Sequence, residues 1–140
     1  MIEWSESQQM IRDAVRRFVD DEIVPNLEAL EHGDLPPYDI LRKMYQAFGM
    51  DEMARNRFAK QIAAEEAGEA PRAKRDAGDS TARADQAAAA LIPIIELCRY
   101  SPGMVTALGV SVGLTAAAIQ SKGTTEQKKR WALDLSLIHI

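Results

Sequence analysis

The sequence predicts an all-α fold, a helical bundle of about five to six helices, and three observations carry that prediction. Alanine is abundant and aromatic residues are 6% of the chain, a balance that favours helices with small-residue packing over sheets. Apolar side chains recur at intervals of three and four, while Val, Ile and Thr seldom alternate with polar residues as a half-buried strand requires. Capping residues also stand where apolar stretches begin. The 140 residues suffice for one domain with a real core and are too few for two.

The first helix should open at Ser5, whose hydroxyl can cap the turn while Gln8 reaches back. Met10/Ile11, Ala14/Val15, Phe18/Val19 and Ile23 then form an apolar stripe, with Arg12, Asp13, Arg16, Arg17 and Asp20 outside it. Pro25 should end or kink this helix, and residues 26–35 read as a connection around Gly33 and Asp34. Pro36 and Pro37 suit a first helical turn. Ile40, Leu41, Met44, Tyr45 and Phe48 make the second stripe, capped by Gly49. Asp51 should cap a third helix through Met53, Ala54, Phe58 and Ile62, whose other face, with Arg55, Arg57, Lys60, Glu65 and Glu66, reads as solvated surface.

Residues 68–80 hold no apolar side chain larger than alanine and proline and read as a mobile linker. An Ala-rich helix from Thr81 to Tyr100 follows, kinked at Pro93, with Leu91, Ile92, Ile94, Ile95 and Leu97 densely packed. Ser101 and Pro102 open a helix from Gly103 to Ser121, stopped by Gly123. Its Gly109 and Gly113 are spaced as in close-packed membrane dimers, although a helix buried in a core, its glycines admitting a neighbouring backbone, fits the short apolar run better. Thr124 and Gln127 form a second capping box.

The formal charge is −4 and uneven: residues 1–35 hold nine acids against three arginines. No basic stripe interleaved with aromatics points to nucleic acid. The lone Cys98 excludes an internal disulfide and suits a reducing cytoplasm, where it reads as a small buried hydrophobe. His32 and His139 are isolated, so no metal site is expected. Phosphate-binding glycine loops are missing, and adjacent carboxylates such as Glu65 and Glu66 diverge on a helix. Ser111 and Thr115 should bond back to their own helix. Residue chemistry alone gives no catalytic residue.

The segment Gly123-Thr-Thr-Glu-Gln-Lys-Lys-Arg-Trp131 resembles the Gly-Thr-x-Glu-Gln-Lys-x-x-aromatic segment that closes the N-terminal helical domain of acyl-CoA dehydrogenases. Ser5 to Phe18, Glu22 to Pro25 and Pro36 to Gly49 look like that family's opening pair of helices. The chain departs from the pattern after Gly49, where the family's Pro-Glu-x-x-Gly-Gly loop is replaced by Met50-Asp51-Glu52-Met53, so a divergent subfamily is expected. The resemblance implies FAD-dependent α,β-dehydrogenation of an acyl-CoA thioester to the 2-enoyl-CoA by the full-length enzyme. It also implies electron transfer to an electron-transfer flavoprotein and a homo-oligomer, dimer or tetramer.

The same resemblance puts catalysis and flavin binding in later domains. Residues 1–134 would then be an inactive fragment that holds no catalytic, cofactor-binding or metal residue and does not bind FAD stably. To this region it gives part of the acyl pocket, through Thr106, Ala107, Val110 and Leu114 on one helical face, with core packing as the rival role. The last six residues, Leu135 to Ile140, can be encoded by a transposase adaptor used in sequencing libraries and read as a non-native tail. Two other classes stay open. One is a free-standing helical interaction module; the other is a membrane-associated helix pair through residues 87–121, although no membrane span is expected.

Overall fold

The computed structural model describes residues 4–68 and 80–138. All regular structure among them is helical. Helix α1 (Glu6–Phe18) opens on the predicted box: Gln8 N–H donates to Ser5 Oγ at 3.3 Å, and Ser5 N–H donates to Gln8 Oε1 at 3.0 Å. The stripe is narrower than predicted. Val15, Val19 and Ile23 are buried, whereas Met10 is 73% exposed and Ile11 also faces out.

Pro25 does not end the helical path. The chain widens into a π turn (Val19–Ile23), tightens to a 3-10 turn (Val24–Asn26) that takes the proline at its start, and continues as α2 (Leu27–His32). A wide turn followed by a tight one accommodates the missing proline N–H without a break. The expected connection at 26–35 therefore shrinks to the residues after His32.

Helix α3 (Tyr38–Ala47) buries Ile40, Leu41, Met44 and Tyr45 of the predicted stripe, while Phe48 follows as its C-terminal cap and is half-buried. Gly49 then turns the chain in the left-handed region at φ 64°, where a side chain would be strained. Helix α4 (Met50–Glu66) begins directly after it, so Asp51 sits inside the first turn and is not the cap. The linker predicted at 68–80 lies almost wholly outside the described residues. Helix α5 (Ser80–Cys98) contains Pro93 and buries Ile92 and Leu97, but Leu91, Ile94 and Ile95 are exposed, so the dense packing expected of all five does not occur.

Helix α6 (Pro102–Leu108) passes through an eight-residue π stretch (Gly109–Ala116) into α7 (Ala117–Lys122). Ser111 and Ala116, five residues apart, are the buried positions of that stretch, which is the repeat of i to i+5 bonding. The hydroxyl of Thr115 donates to the Val110 carbonyl at 3.0 Å, the back-bond expected of it. The helix ends at Gly123, whose backbone turns extended, and a Cβ there would stand 2.6 Å from the Ile119 carbonyl oxygen. Helix α8 (Thr125–Gln127), a π turn (Lys128–Ala132) and α9 (Leu133–Ser136) complete the chain, again from a capping box at Thr124 and Gln127.

The described residues divide into two compact units, 4–36 with 80–105 and 37–68 with 106–138. In the first, α1 packs along α5. In the second, α4 meets α3, α8 and α9, while the π stretch meets α7 and α9. Residues set aside as tail take part in the second core: Leu137 and Ile138 are buried, and Arg42 Nη1 donates to the Ile138 carbonyl at 2.9 Å. Ile138 adopts φ 60°, an unusual conformation for a β-branched residue.

Candidate functional site

The second unit holds a cavity of about 480 Å³, a volume in the range of small-molecule sites. Helix α4 builds one wall with Met50, Met53, Ala54 and Phe58, and Val112 and Ala117 add to it. Methionine and phenylalanine give a mobile apolar lining able to follow an irregular guest. Tyr45 contributes from α3, and burial pushes its phenol above the ordinary value, so it stays neutral and cannot act as a base near neutral pH.

The polar groups of the cavity form a short chain. Gln61 Nε2 donates to the Gln120 carbonyl at 3.5 Å, Gln120 Nε2 donates to Ser136 Oγ at 2.9 Å, and Ser136 Oγ donates to the Ala132 carbonyl at 2.7 Å. Ser136 thus spends its proton on the backbone and has no base to activate it. Arg57 is the one charged residue of the lining. A single cation against a methionine and phenylalanine wall does not fit a dinucleotide with two phosphates, so no step through FAD is derived from these residues. Among the described residues no three His, Cys, Asp or Glu side chains could together hold a metal.

The residues assigned to the acyl pocket lie elsewhere. Thr106, Ala107, Val110 and Leu114 do not line this cavity, although Val112 and Ala117 of the same helical path do. Val110 is 50% and Leu114 67% exposed, so neither packs in the core of the chain. Among the described residues nothing outside their own helix stands within 4 Å of a Cβ built on Gly109 or Gly113, so no neighbouring backbone of that set approaches those glycines. The expected buried core helix is instead an apolar helix whose surface is largely open: Pro102–Lys122 is long and apolar enough to cross a membrane, with 17% of its most apolar window buried. Soluble core helices pass the same length and composition test. Cys98, read as a buried hydrophobe, is exposed.

Two arrangements escaped the sequence reading. Glu65, taken for solvated surface, is largely enclosed and accepts from Lys128 Nζ at 2.7 Å, Gln61 Nε2 at 3.1 Å and Thr125 Oγ1 at 3.3 Å. The Lys128 ammonium, with help from Gln61, holds its carboxyl below the ordinary carboxylate value. Lys129 pairs with Glu66 beside it. The Thr-Thr-Glu-Gln-Lys-Lys segment is therefore a clasp: its first threonine and its glutamine cap α8, and its second threonine and first lysine fasten that turn to α4.

The second arrangement is in the first unit. Glu96, buried on α5, accepts from Arg16 Nε at 2.8 Å and Nη2 at 3.1 Å and from Arg99 Nη1 at 3.3 Å. The bond to Glu96 raises the Arg16 guanidinium above its ordinary value. Periodicity gave no warning of either pair, because partners more than sixty residues apart in sequence leave no local pattern.

What these features define is an all-helical domain with a clasped C-terminal turn, an apolar cavity in its second unit and an uncovered apolar helix, and with no acid–base or nucleophilic pair among the described side chains. The family model described as acyl-CoA dehydrogenase, N-terminal domain, matches residues 5–136, and the chain belongs to that family. The match takes in Leu135 and Ser136, the first two residues of the segment set aside as tail. No curated protein and no solved structure matches the chain.

Proposed function

We propose that the chain is the N-terminal portion of a flavin-dependent acyl-CoA dehydrogenase, an enzyme that removes hydrogen across the α,β bond of an acyl-CoA thioester. The observation that carries this reading is the family match over residues 5–136. In it the chain supplies packing and one wall of the acyl pocket, and domains outside this sequence supply FAD, the catalytic base and the contact with an electron-transfer flavoprotein. Subunits associate as a dimer or tetramer in the cytoplasm.

The exposed positions Val110 and Leu114, with Thr106 and Ala107 on the same helix, support the assignment of the wall. An apolar surface of this kind is a poor final state in water and a good lining for a fatty tail. In the full-length enzyme, Val110→Trp should cut turnover of long acyl-CoAs while sparing short ones. An unchanged chain-length preference in a dye-reduction assay would remove these residues from the pocket. The 140-residue chain alone should be colourless and inactive, and purification with bound flavin would overturn the division of labour.

The same exposed face supports a second reading, a free-standing helical interaction module. Reading frame continuing past codon 140 in the genome favours the enzyme, and a natural stop there favours the module.

A further inference from the structure

The first unit contains a cavity of about 320 Å³ between α1 and α5. Three of its residues, Ile92, Ile95 and Glu96, share one face of α5 at helical spacing, and Arg99 follows in the turn directly after that helix. Ile92 is fully buried and forms the floor, while Ile95 and Trp4 leave apolar surface open to the cavity. Arg12 and Arg16, one turn apart on α1, stand on the facing side.

The lining thus sets three guanidinium groups against one carboxylate. Glu96 engages Arg16 through both of its oxygens and takes only Nη1 of Arg99. Arg12 gives Nε and Nη2 to Asp13, which lies outside the lining. Arg99 Nε and Nη2 therefore keep donor capacity on a side chain about half exposed and held in place by Glu96. A smaller adjoining cavity of about 150 Å³ shares Arg16, Glu96 and Arg99 but adds Asp20, which directs an anion toward the larger one. A simple ion pair between two helices needs neither the third arginine nor an open apolar chamber beside it.

We propose that this cavity binds a small amphipathic carboxylate, its head on Arg99 with Arg12 alongside and its apolar or aromatic body on Trp4 and Ile95. Planar carboxylates match the guanidinium fork, and a ring can lie against the indole. Glu96 is a positioning residue, since it holds the two arginines and leaves the ligand a residual positive field. The site shares no lining residue with the Val110 face and does not depend on the reading given to that face.

The test uses 3-phenylpropionate as probe on the full 140-residue chain carrying Trp131→Phe, which leaves Trp4 as the fluorescent reporter. Saturable binding by calorimetry, with a matching change in Trp4 emission, is expected. Binding should weaken at least about tenfold in Arg99→Gln and for the neutral isostere 3-phenylpropanol, because each removes one charge-assisted pair. Ile95→Trp, which fills the chamber from an exposed position, should abolish it. Far-ultraviolet circular dichroism confirms that each variant is folded. Absence of saturation, equal binding of the alcohol, or full retention in Arg99→Gln overturns the proposal. Loss of binding in Val110→Trp but not in Ile95→Trp does so too, by moving the ligand to the other face.

Discussion

Helix α3 and the path from Pro102 to Lys122 are both rich in apolar residues, yet they end in opposite situations. Every position of the first four in the α3 stripe is buried, and Leu41 has no exposed surface at all. On the longer path Val110 and Leu114 stand in the open, and a π stretch displaces the buried register to Ser111 and Ala116. An amphipathic helix carries its own burial instructions, because its charged side fixes which way it faces. A helix apolar on all sides carries none, and its orientation is set by whatever covers it.

Substitution at Leu41 should sharpen that contrast most. Leu41→Ala leaves a cavity in a filled core and should lower the unfolding free energy by about 3 kcal/mol. Leu114→Ala should cost less than about 0.5 kcal/mol in the isolated chain. Urea unfolding of both, with unchanged slopes, measures the gap; a Leu114→Ala loss as large as that of Leu41→Ala would mean the helix is covered after all.

Next in size is Gly123→Ala, where the new methyl group would overlap the Ile119 carbonyl. A loss of about 2 kcal/mol is expected from the overpacking, read as a lower thermal midpoint. It distinguishes a glycine needed for space from Gly109 and Gly113, which have space to spare.

The clasp gives a smaller and pH-dependent effect. Glu65→Gln should cost about 1 kcal/mol at neutral pH, less at high salt. Because Lys128 lowers the folded carboxyl value, the contribution is whole above the ordinary value of 4.5 and is lost as pH falls below it through the depressed folded value. The difference between wild type and Glu65→Gln should therefore close in acid, and a constant offset down to pH 3 would place the stabilisation elsewhere.

The sequence was most legible where a decision is local. Both capping boxes, the α3 stripe and the turn at Gly49 follow from residues within four positions of each other. Asp51 was misread because glycine already turns the chain one residue before the helix begins. Pro25 was read as a stop because a 3.6-residue repeat has no place for a π turn feeding a 3-10 turn. Dense packing of Leu91, Ile94 and Ile95 is an expectation from composition, but α5 packs along α1 on one side, where Ile95 borders an open cavity, and Leu91 and Ile94 are exposed. Of the candidate site, the family segment was visible as a motif while its physical role was not, since the role belongs to Glu65, sixty residues away from Thr125. Met53, Ala54 and Phe58 of the cavity wall belong to the apolar side that spacing predicts for α4, whereas Arg57, expected on the solvated face, also lines the cavity.

Gly109 and Gly113 carry a final consequence for engineering. A helix pays entropy for each glycine, and among the described residues no neighbour approaches either one closely enough to require it. Alanine at both positions should harden the isolated protein by about 0.5–1 kcal/mol per site, because the denatured chain loses freedom while the folded one gains no clash. If, in the full-length enzyme of the proposed reading, the same double variant fails to assemble, the two glycines are clearance left for a surface that packs on them there. Robustness alone and fitness for assembly would then be opposing demands on the same two positions.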